Sequence, residues 1–145
     1  MKYALDSDVL GCAASEGQPL GDPVRRLPQE AESEMHVGSV LLLTEVLANP
    51  LREGRATELQ LLGSLLAALS LHDITRSTAL LATQLAAAYR LRAPDALHLA
   101  CAVEAGASAF LTANRKDFRR GEILELGVLY PENLQPFTAS ARSRT

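Results

Sequence analysis

The chain has 145 residues, 48% of them hydrophobic and 4% aromatic, and a formal net charge of −3. That is the length of one ordinary domain, with enough Leu, Ala and Val for a core of packed helices but too few aromatics for a β-sandwich. The negative balance excludes a protein that coats nucleic acid through its overall field, so any such contact must be local.

In chain order, residues 2–5 form a strand candidate that ends at Asp6. This apolar opening is too short for a signal peptide and is interrupted by Asp6 and Asp8, and no later run reaches the roughly 18 apolar residues of a membrane span. The expectation is a soluble, cytoplasmic protein. A helix begins over Val9–Ala14. It carries Cys12, which with the distant Cys101 fits no zinc or redox spacing, and both read as buried thiols in a reducing compartment. Residues 15–34 are polar and contain Gly17, Pro19, Gly21, Pro23 and Pro28. They are expected to hold loop and a short helix with Pro28 in its first turn. Residues 35–37 form a second strand candidate.

Ser39 is a candidate N-cap for a helix over 40–48, which Pro50 is expected to end. A longer helix follows over 55–70, with Leu59, Leu62, Leu66 and Leu69 on one face. Residues 72–75 are a third strand candidate, although Asp73 lies within it. Residues 77–91 are helical, with Leu81, Leu85, Ala88 and Tyr89 toward the core. Pro94 marks the next helix start, and residues 95–105 continue to Gly106 as C-cap. Then come a strand at 109–112, a loop at 114–118, a short helix at 122–126 and a last strand at 128–130. Residues 1–137 read as a single domain, and 138–145, with Arg142 and Arg144, as a disordered tail. Short strands alternating with helices predict an α/β fold, a short, mostly parallel central sheet flanked by helices. In such sheets ligands bind at the carboxyl ends of the strands.

Four acidic positions stand out. Asp6 and Asp8 lie just past the first strand, and Glu45 lies in the apolar stretch Val40–Ala48. Asp95 opens an apolar helix, and Asn114 and Asp117 share the loop after the strand at 109–112. An unpaired carboxylate beside apolar sequence is costly to bury, and a shared divalent cation would relieve several at once. Oxygen-only ligands favour Mg²⁺ or Mn²⁺ over zinc. Each acid also has a structural explanation. Asp95 suits the positive end of its helix dipole, Glu45 suits a solvated helix face, and Asp6 or Asp8 suits a helix cap. Thr112 either orients an acidic ligand through a hydrogen bond or simply packs at a strand end. His98 reads as a core or rim residue, and His36 and His72 as structural.

The ordered set Leu5-Asp6-Ser7-Asp8-Val9-Leu10, Ser39 with Thr44-Glu45, Pro94-Asp95-Ala96-Leu97-His98-Leu99-Ala100 and Thr112-Ala113-Asn114-Arg115-Lys116-Asp117-Phe118 resembles the four motifs of PIN domains. The likeness runs from about Lys2 to Leu134, and the third motif is the most specific. Size and stand-alone character are similar to the toxins of VapBC toxin–antitoxin pairs. The resemblance implies a three-layer α/β/α fold and an endoribonuclease that depends on Mg²⁺ or Mn²⁺ and leaves 5′-phosphate and 3′-hydroxyl ends. Asp6, Glu45 and Asp95 would be the primary metal ligands and catalytic residues. Many members carry an Asp soon after the Thr of the fourth motif, where this chain has Asn114. Either Asp117 fills that role or Asn114 serves as a neutral oxygen donor. An antitoxin that inserts a segment into the acidic pocket and a homodimer are the expected partners, with residues 15–34 and 55–70 as candidate surfaces.

Arg92, Arg115, Lys116 and Arg119 are the candidate RNA-binding cations, each also readable as a solvated surface charge. Two rival functions follow from the same residues. A PIN fold that only binds is one, kept open by Asn114. The other is a phosphatase of the haloacid-dehalogenase type, which would use Asp6 of Asp6-Ser7-Asp8 as a nucleophile but lacks the expected acidic context around Asp117.

Overall fold

The computed structural model describes residues 1–15, 21–30 and 35–134. The expected tail at 138–145 and parts of the 15–34 segment lie outside these residues. Among those described, a five-stranded sheet has the order β3-β2-β1-β4-β5, and every pairing is parallel. The strands are β1 (Tyr3–Leu5), β2 (Val37–Ser39), β3 (Ser70–His72), β4 (Ala109–Leu111) and β5 (Gly127–Leu129). The helices are α1 (Ser7–Ala14), α2 (Gly21–Glu30), α3 (Leu41–Glu53), α4 (Ala56–Ala67), α5 (Arg76–Tyr89) and α6 (Ala93–Glu104).

Alternation along the short strands divides the core in two. Ala4, Val37, Phe110 and Val128 face α5 and α6, where they meet Ala82, Leu85, Ala96, Leu99 and Ala100. The neighbouring strand residues Leu5 and Leu111 turn to the other face, against Val9, Leu10 and Ala13 of α1, Leu42 of α3 and Leu62, Leu65 and Leu66 of α4. Side chains that alternate across a strand thus feed two helical layers. Each fully buried Leu or Phe contributes about 1.5–3 kcal/mol by leaving water. The result is the three-layer α/β/α architecture expected of this sequence.

Several elements depart from expectation. The helix through residues 40–48 does not stop at Pro50. It runs on to Glu53 with Pro50 buried inside it, and ends at Gly54, which adopts φ 67°. A proline removes one donor and crowds one carbonyl, a cost of about 3 kcal/mol. Pro50 itself is buried, whereas Leu51, Arg52 and Glu53 of the extra turn are exposed. Val40 occupies the N-cap position of α3 without a side-chain bond, yet Ser39 still serves the helix start by accepting from Leu41 N at 3.0 Å.

The second strand lies later than expected, at 37–39, because Val37 pairs with Ser70 and Ala4. The third lies earlier, at 70–72, which leaves Asp73 outside the ladder. Residues 122–126 form turns and bends, not a helix, and Tyr89 holds them instead. Its hydroxyl donates to Glu125 at 2.6 Å and accepts from Leu124 N at 3.1 Å. Ala88 is exposed, whereas Leu85 is buried. Pro23, not Pro28, lies in the first turn of α2. Gly106 follows α6 with φ 71°, a left-handed conformation that favours glycine.

A polar knot ties the far end of β3 to α5 and α6. Fully buried Thr78 donates to Glu104 at 2.7 Å and shares a reciprocal capping box with Thr75, while His72 Nε2 meets the same carboxylate at 2.9 Å. These bonds hold the Glu104 carboxyl below its ordinary value. A lowered folded pKa means the folded state binds fewer protons near pH 4, so this stabilisation is present at neutral pH and fades on acidification. Thr78→Val is therefore expected to lower stability by about 1–2 kcal/mol at pH 7. In denaturant titrations the difference should narrow toward pH 3, and an unchanged difference would count against the Thr78–Glu104 bond as its source.

Candidate metal centre

Strand order reverses between β1 and β4, so their carboxyl ends frame the crevice where ligands bind in doubly wound sheets. The Asp6 backbone N–H donates to Leu111 O at 2.9 Å and extends the β1–β4 pairing one residue further. Asp6 then caps α1. One carboxylate oxygen accepts from Ser7 N at 2.8 Å, and the other accepts from the Thr112 hydroxyl at 2.8 Å. Asp6 is only 3% exposed. Burial raises its pKa above the usual carboxylate value, and the nearby Asp95 charge adds to this. His98 and the bonds from Thr112 and Ser7 oppose the rise.

Asp8, in the first turn of α1, does not act as the N-cap, because Asp6 already fills that position. It reaches instead to the loop after β4 and accepts from Ala113 N at 3.0 Å. Burial, then the Asp6 charge, pushes its pKa up to about 6. Thr112 is fully buried and does orient an acid, as one of the two sequence readings had it. Its hydroxyl oxygen also accepts from Asn114 N at 3.0 Å. Asn114 in turn serves Asp117: Asn114 Nδ2 donates to Asp117 at 3.0 Å and Asp117 N donates to Asn114 Oδ1 at 3.2 Å. Fully buried Phe118, packed on Phe110 with ring centroids 4.9 Å apart, anchors this loop in the core.

Asp95 lies in the first turn of α6, with Arg92 Nε 3.9 Å away. Its Oδ2 is buried and has no hydrogen-bond partner among the described residues. Burial raises its pKa; Arg92 and His98 oppose the shift, while Asp117 and Glu45 reinforce it. Glu45, on α3, pairs through Oε1 with His98 Nε2 of α6. Four elements therefore bring Asp6, Glu45, Asp95 and Asp117 into one electrostatic neighbourhood. As the side chains stand, no group of three His, Cys, Asp or Glu among the described residues is ready to hold a metal ion. Glu45 is engaged by His98, Asp117 by Asn114 and Asp6 by Thr112. The donor set is nonetheless all carboxylate oxygen and includes an orphaned buried oxygen, which is the chemistry of a Mg²⁺ or Mn²⁺ site.

The candidate cations are spread more widely. The Arg92 side chain is 83% exposed, and Lys116 is exposed as well. Arg119 has Glu122 at 4.0 Å. Arg115 is drawn away from the acids, since it pairs with Glu132 and lies over the Tyr130 ring at 4.3 Å. His98 is buried, in line with its reading as a core or rim residue, and its bond to Glu45 is the feature that sequence reasoning missed. Its only local signal was its place one helical turn after Asp95, and its partner Glu45 is distant in the chain. His36 and His72 are structural, as expected: His36 accepts from Tyr3 N and stacks on Tyr3, and His72 pairs with Glu104.

The family model described as the PIN domain matches residues 3–123. Among solved structures, the chain is similar to one titled as a toxin–antitoxin complex from Klebsiella pneumoniae. The identity is 24% and the TM-score 0.70, with 90% of this chain and 98% of that one covered. It is similar, at 17% identity and TM-score 0.70, to VapBC2 from Rickettsia felis bound to a DNA fragment from their promoter, again over 90% of this chain and 98% of that one. At these identities the likeness is one of fold. No curated protein matches the chain.

The raised values at Asp6, Asp8 and Asp95 have a consequence for the metal-free protein. Where a folded pKa exceeds the unfolded value of 3.8, the folded state binds more protons, and stability falls as pH rises from about 4 through the raised value, about 6 for Asp8. In EDTA, the melting temperature is expected to be higher at pH 5 than at pH 7. Adding Mn²⁺ at pH 7 should recover the lost stability and close the difference. A flat or inverted pH profile would show that these acids are not held in an unfavourable, cation-seeking state.

Proposed function

We propose, on the premise that this chain belongs to the PIN-domain family, that it is a divalent-metal-dependent endoribonuclease and the toxin of a VapBC-type toxin–antitoxin pair. The observation that carries the catalytic part is the buried Asp95 Oδ2, which has no hydrogen-bond partner among the described residues and only the exposed Arg92 at 3.9 Å, and which lies within the fields of Glu45 and Asp117. A buried carboxylate oxygen without a hydrogen bond is destabilising, and a closely bound cation would relieve it.

Asp6, Glu45 and Asp95 would hold Mg²⁺ or Mn²⁺, with Asp117 as a further ligand and Asn114 as the residue that sets Asp117. When bound, such an ion activates water and offsets the charge that builds on a phosphate under attack. The chain's own residues do the rest. Thr112 and Ser7 hold Asp6 in one orientation. Asp8 fixes the loop after β4 through Ala113. Both Asp6 oxygens are hydrogen-bonded, which favours a ligand over the covalent nucleophile of a phosphatase.

RNA needs cations to approach so acidic a centre. Beside Asp117 lies a groove of about 370 Å³ lined by Tyr89, Arg90, Arg119, Glu122 and Ile123. Arg90 and Arg119 there, with Arg92 and Lys116 nearby in the chain, supply phosphate contacts. An antitoxin partner is supported by the similar structures, which are toxin–antitoxin complexes. A homodimer belongs to the same proposal, as does a place in the cytoplasm. No helix among the described residues is long and apolar enough to cross a membrane. A second reading, a PIN fold that binds without cutting, is favoured by one observation: among the described residues no three ligands stand ready-made.

The decisive experiment is RNA cleavage by purified protein with Mn²⁺ or Mg²⁺. Asp6→Asn and Asp95→Asn are expected to lower the rate about 100-fold or more, and EDTA to abolish cleavage by the unaltered protein. Full activity in both variants would defeat the proposed site, and metal binding without any cleavage would favour the binding module. A separate measurement addresses the groove. Arg90→Ala and Arg119→Ala should each reduce the salt slope of RNA binding by about one phosphate contact, and unchanged slopes would remove the groove from the RNA path.

A further inference from the structure

His98 sits on the buried side of α6 and is 2% exposed, yet it is not a packing residue alone. Its Nε2 is hydrogen-bonded to Glu45 Oε1 on α3. An ionised carboxylate only accepts, so the bond requires the proton on Nε2 and thereby selects the ring tautomer. The other ring nitrogen, Nδ1, is buried with no partner, so nothing else among the described residues sets the ring's orientation by hydrogen bonding.

Glu45 gains more from the bond than His98 does. Its side chain is 29% exposed, and on a helix surface a free Glu samples several rotamers. His98 is confined by comparison, because its own side chain is only 1% exposed. The only side-chain hydrogen bond of Glu45 among the described residues goes to Oε1, which leaves Oε2 free.

We infer that His98 is a positioning residue for Glu45. It holds one carboxylate oxygen from the core side so that the other is presented to a divalent cation shared with Asp6 and Asp95. The assignment rests on the metal-site proposal above. His98 itself touches neither substrate nor metal. It is the partner behind the ligand, of the kind whose loss typically weakens metal binding about 10–100-fold.

The test compares Mn²⁺ binding, by calorimetry, to the unaltered protein, His98→Leu and His98→Gln. Leu keeps bulk without a donor, and Gln restores an N–H near the position of Nε2. Mn²⁺ affinity is expected to fall about tenfold or more in His98→Leu and to recover largely in His98→Gln. A merely structural histidine would not be rescued this way. If His98→Leu folds and binds Mn²⁺ as tightly as the unaltered protein, the inference is overturned while the metal site stands. If the unaltered protein binds no Mn²⁺, the metal-site proposal falls and this inference with it.

A second measurement needs no variant of His98. Long-range ¹H–¹⁵N spectra of the metal-free protein should show the His98 ring protonated at Nε2, with a signal that moves in Glu45→Ala. A ring protonated only at Nδ1, or a signal indifferent to Glu45→Ala, overturns the inference even if His98→Leu fails to fold.

Discussion

The Thr112 hydroxyl meets the Asp6 carboxylate across a separation of 106 residues, at the one place where the sheet reverses its strand order. Most of the carboxyl edge hangs from that contact. The same hydroxyl oxygen receives Asn114 N, Asn114 sets Asp117, and Asp8 closes the unit by receiving Ala113 N. These bonds can form only in one register. A slip of one residue between β1 and β4 would put Leu5 and Leu111 on opposite faces and turn Asp6 away from Thr112. The apolar packing that fixes the register is therefore also what aims the acids.

The site draws on both helical layers. Asp6 and Asp8 belong to the layer of α1, Glu45 to α3 in the same layer, and Asp95 and His98 to α6 on the other face of the sheet. The Glu45–His98 bond thus joins the two layers beyond the end of the sheet. Concentrating carboxylates there works against stability, as the raised values of Asp6, Asp8 and Asp95 show. The large aliphatic core beneath them tolerates this conflict, which is the usual relation between a functional site and its scaffold.

Much of this was legible in the chain. Asp6 after a short apolar strand, and Asp95 just after Pro94 at the head of an apolar helix, are local signals, and the structure keeps both placements. Strand boundaries were less legible. Three-residue strands leave hydrophobic pattern almost no length to act on, and pairing with neighbours decided that Val37 and Ser70 open their strands. The continuation of α3 through Pro50, with that residue buried, follows from no local rule. Residues 122–126 have helical composition, but Tyr89 claims Leu124 and Glu125 from another element. His98 was illegible as part of the site for the same reason, since its partner lies 53 residues away.

The contact between Thr112 and Asp6 also sets an order of events during synthesis. Residues 1–111 contain the first four strands and α1 to α6, and there Asp6 N already pairs with Leu111 O, yet the Asp6 carboxylate gains the Thr112 hydroxyl only when the next residue has left the ribosome. Non-local pairings of this kind form late, and domains emerging from the ribosome acquire structure from the N-terminal side first. A nascent chain holding only α1 to α5 lacks Asp95, His98, Thr112 and Asp117 together. The acidic centre is thus completed only after α6 and β4 have emerged, and a product that stops before Asp95 holds Asp6, Asp8 and Glu45 without their partners His98, Thr112 and Ala113 from the later part of the chain.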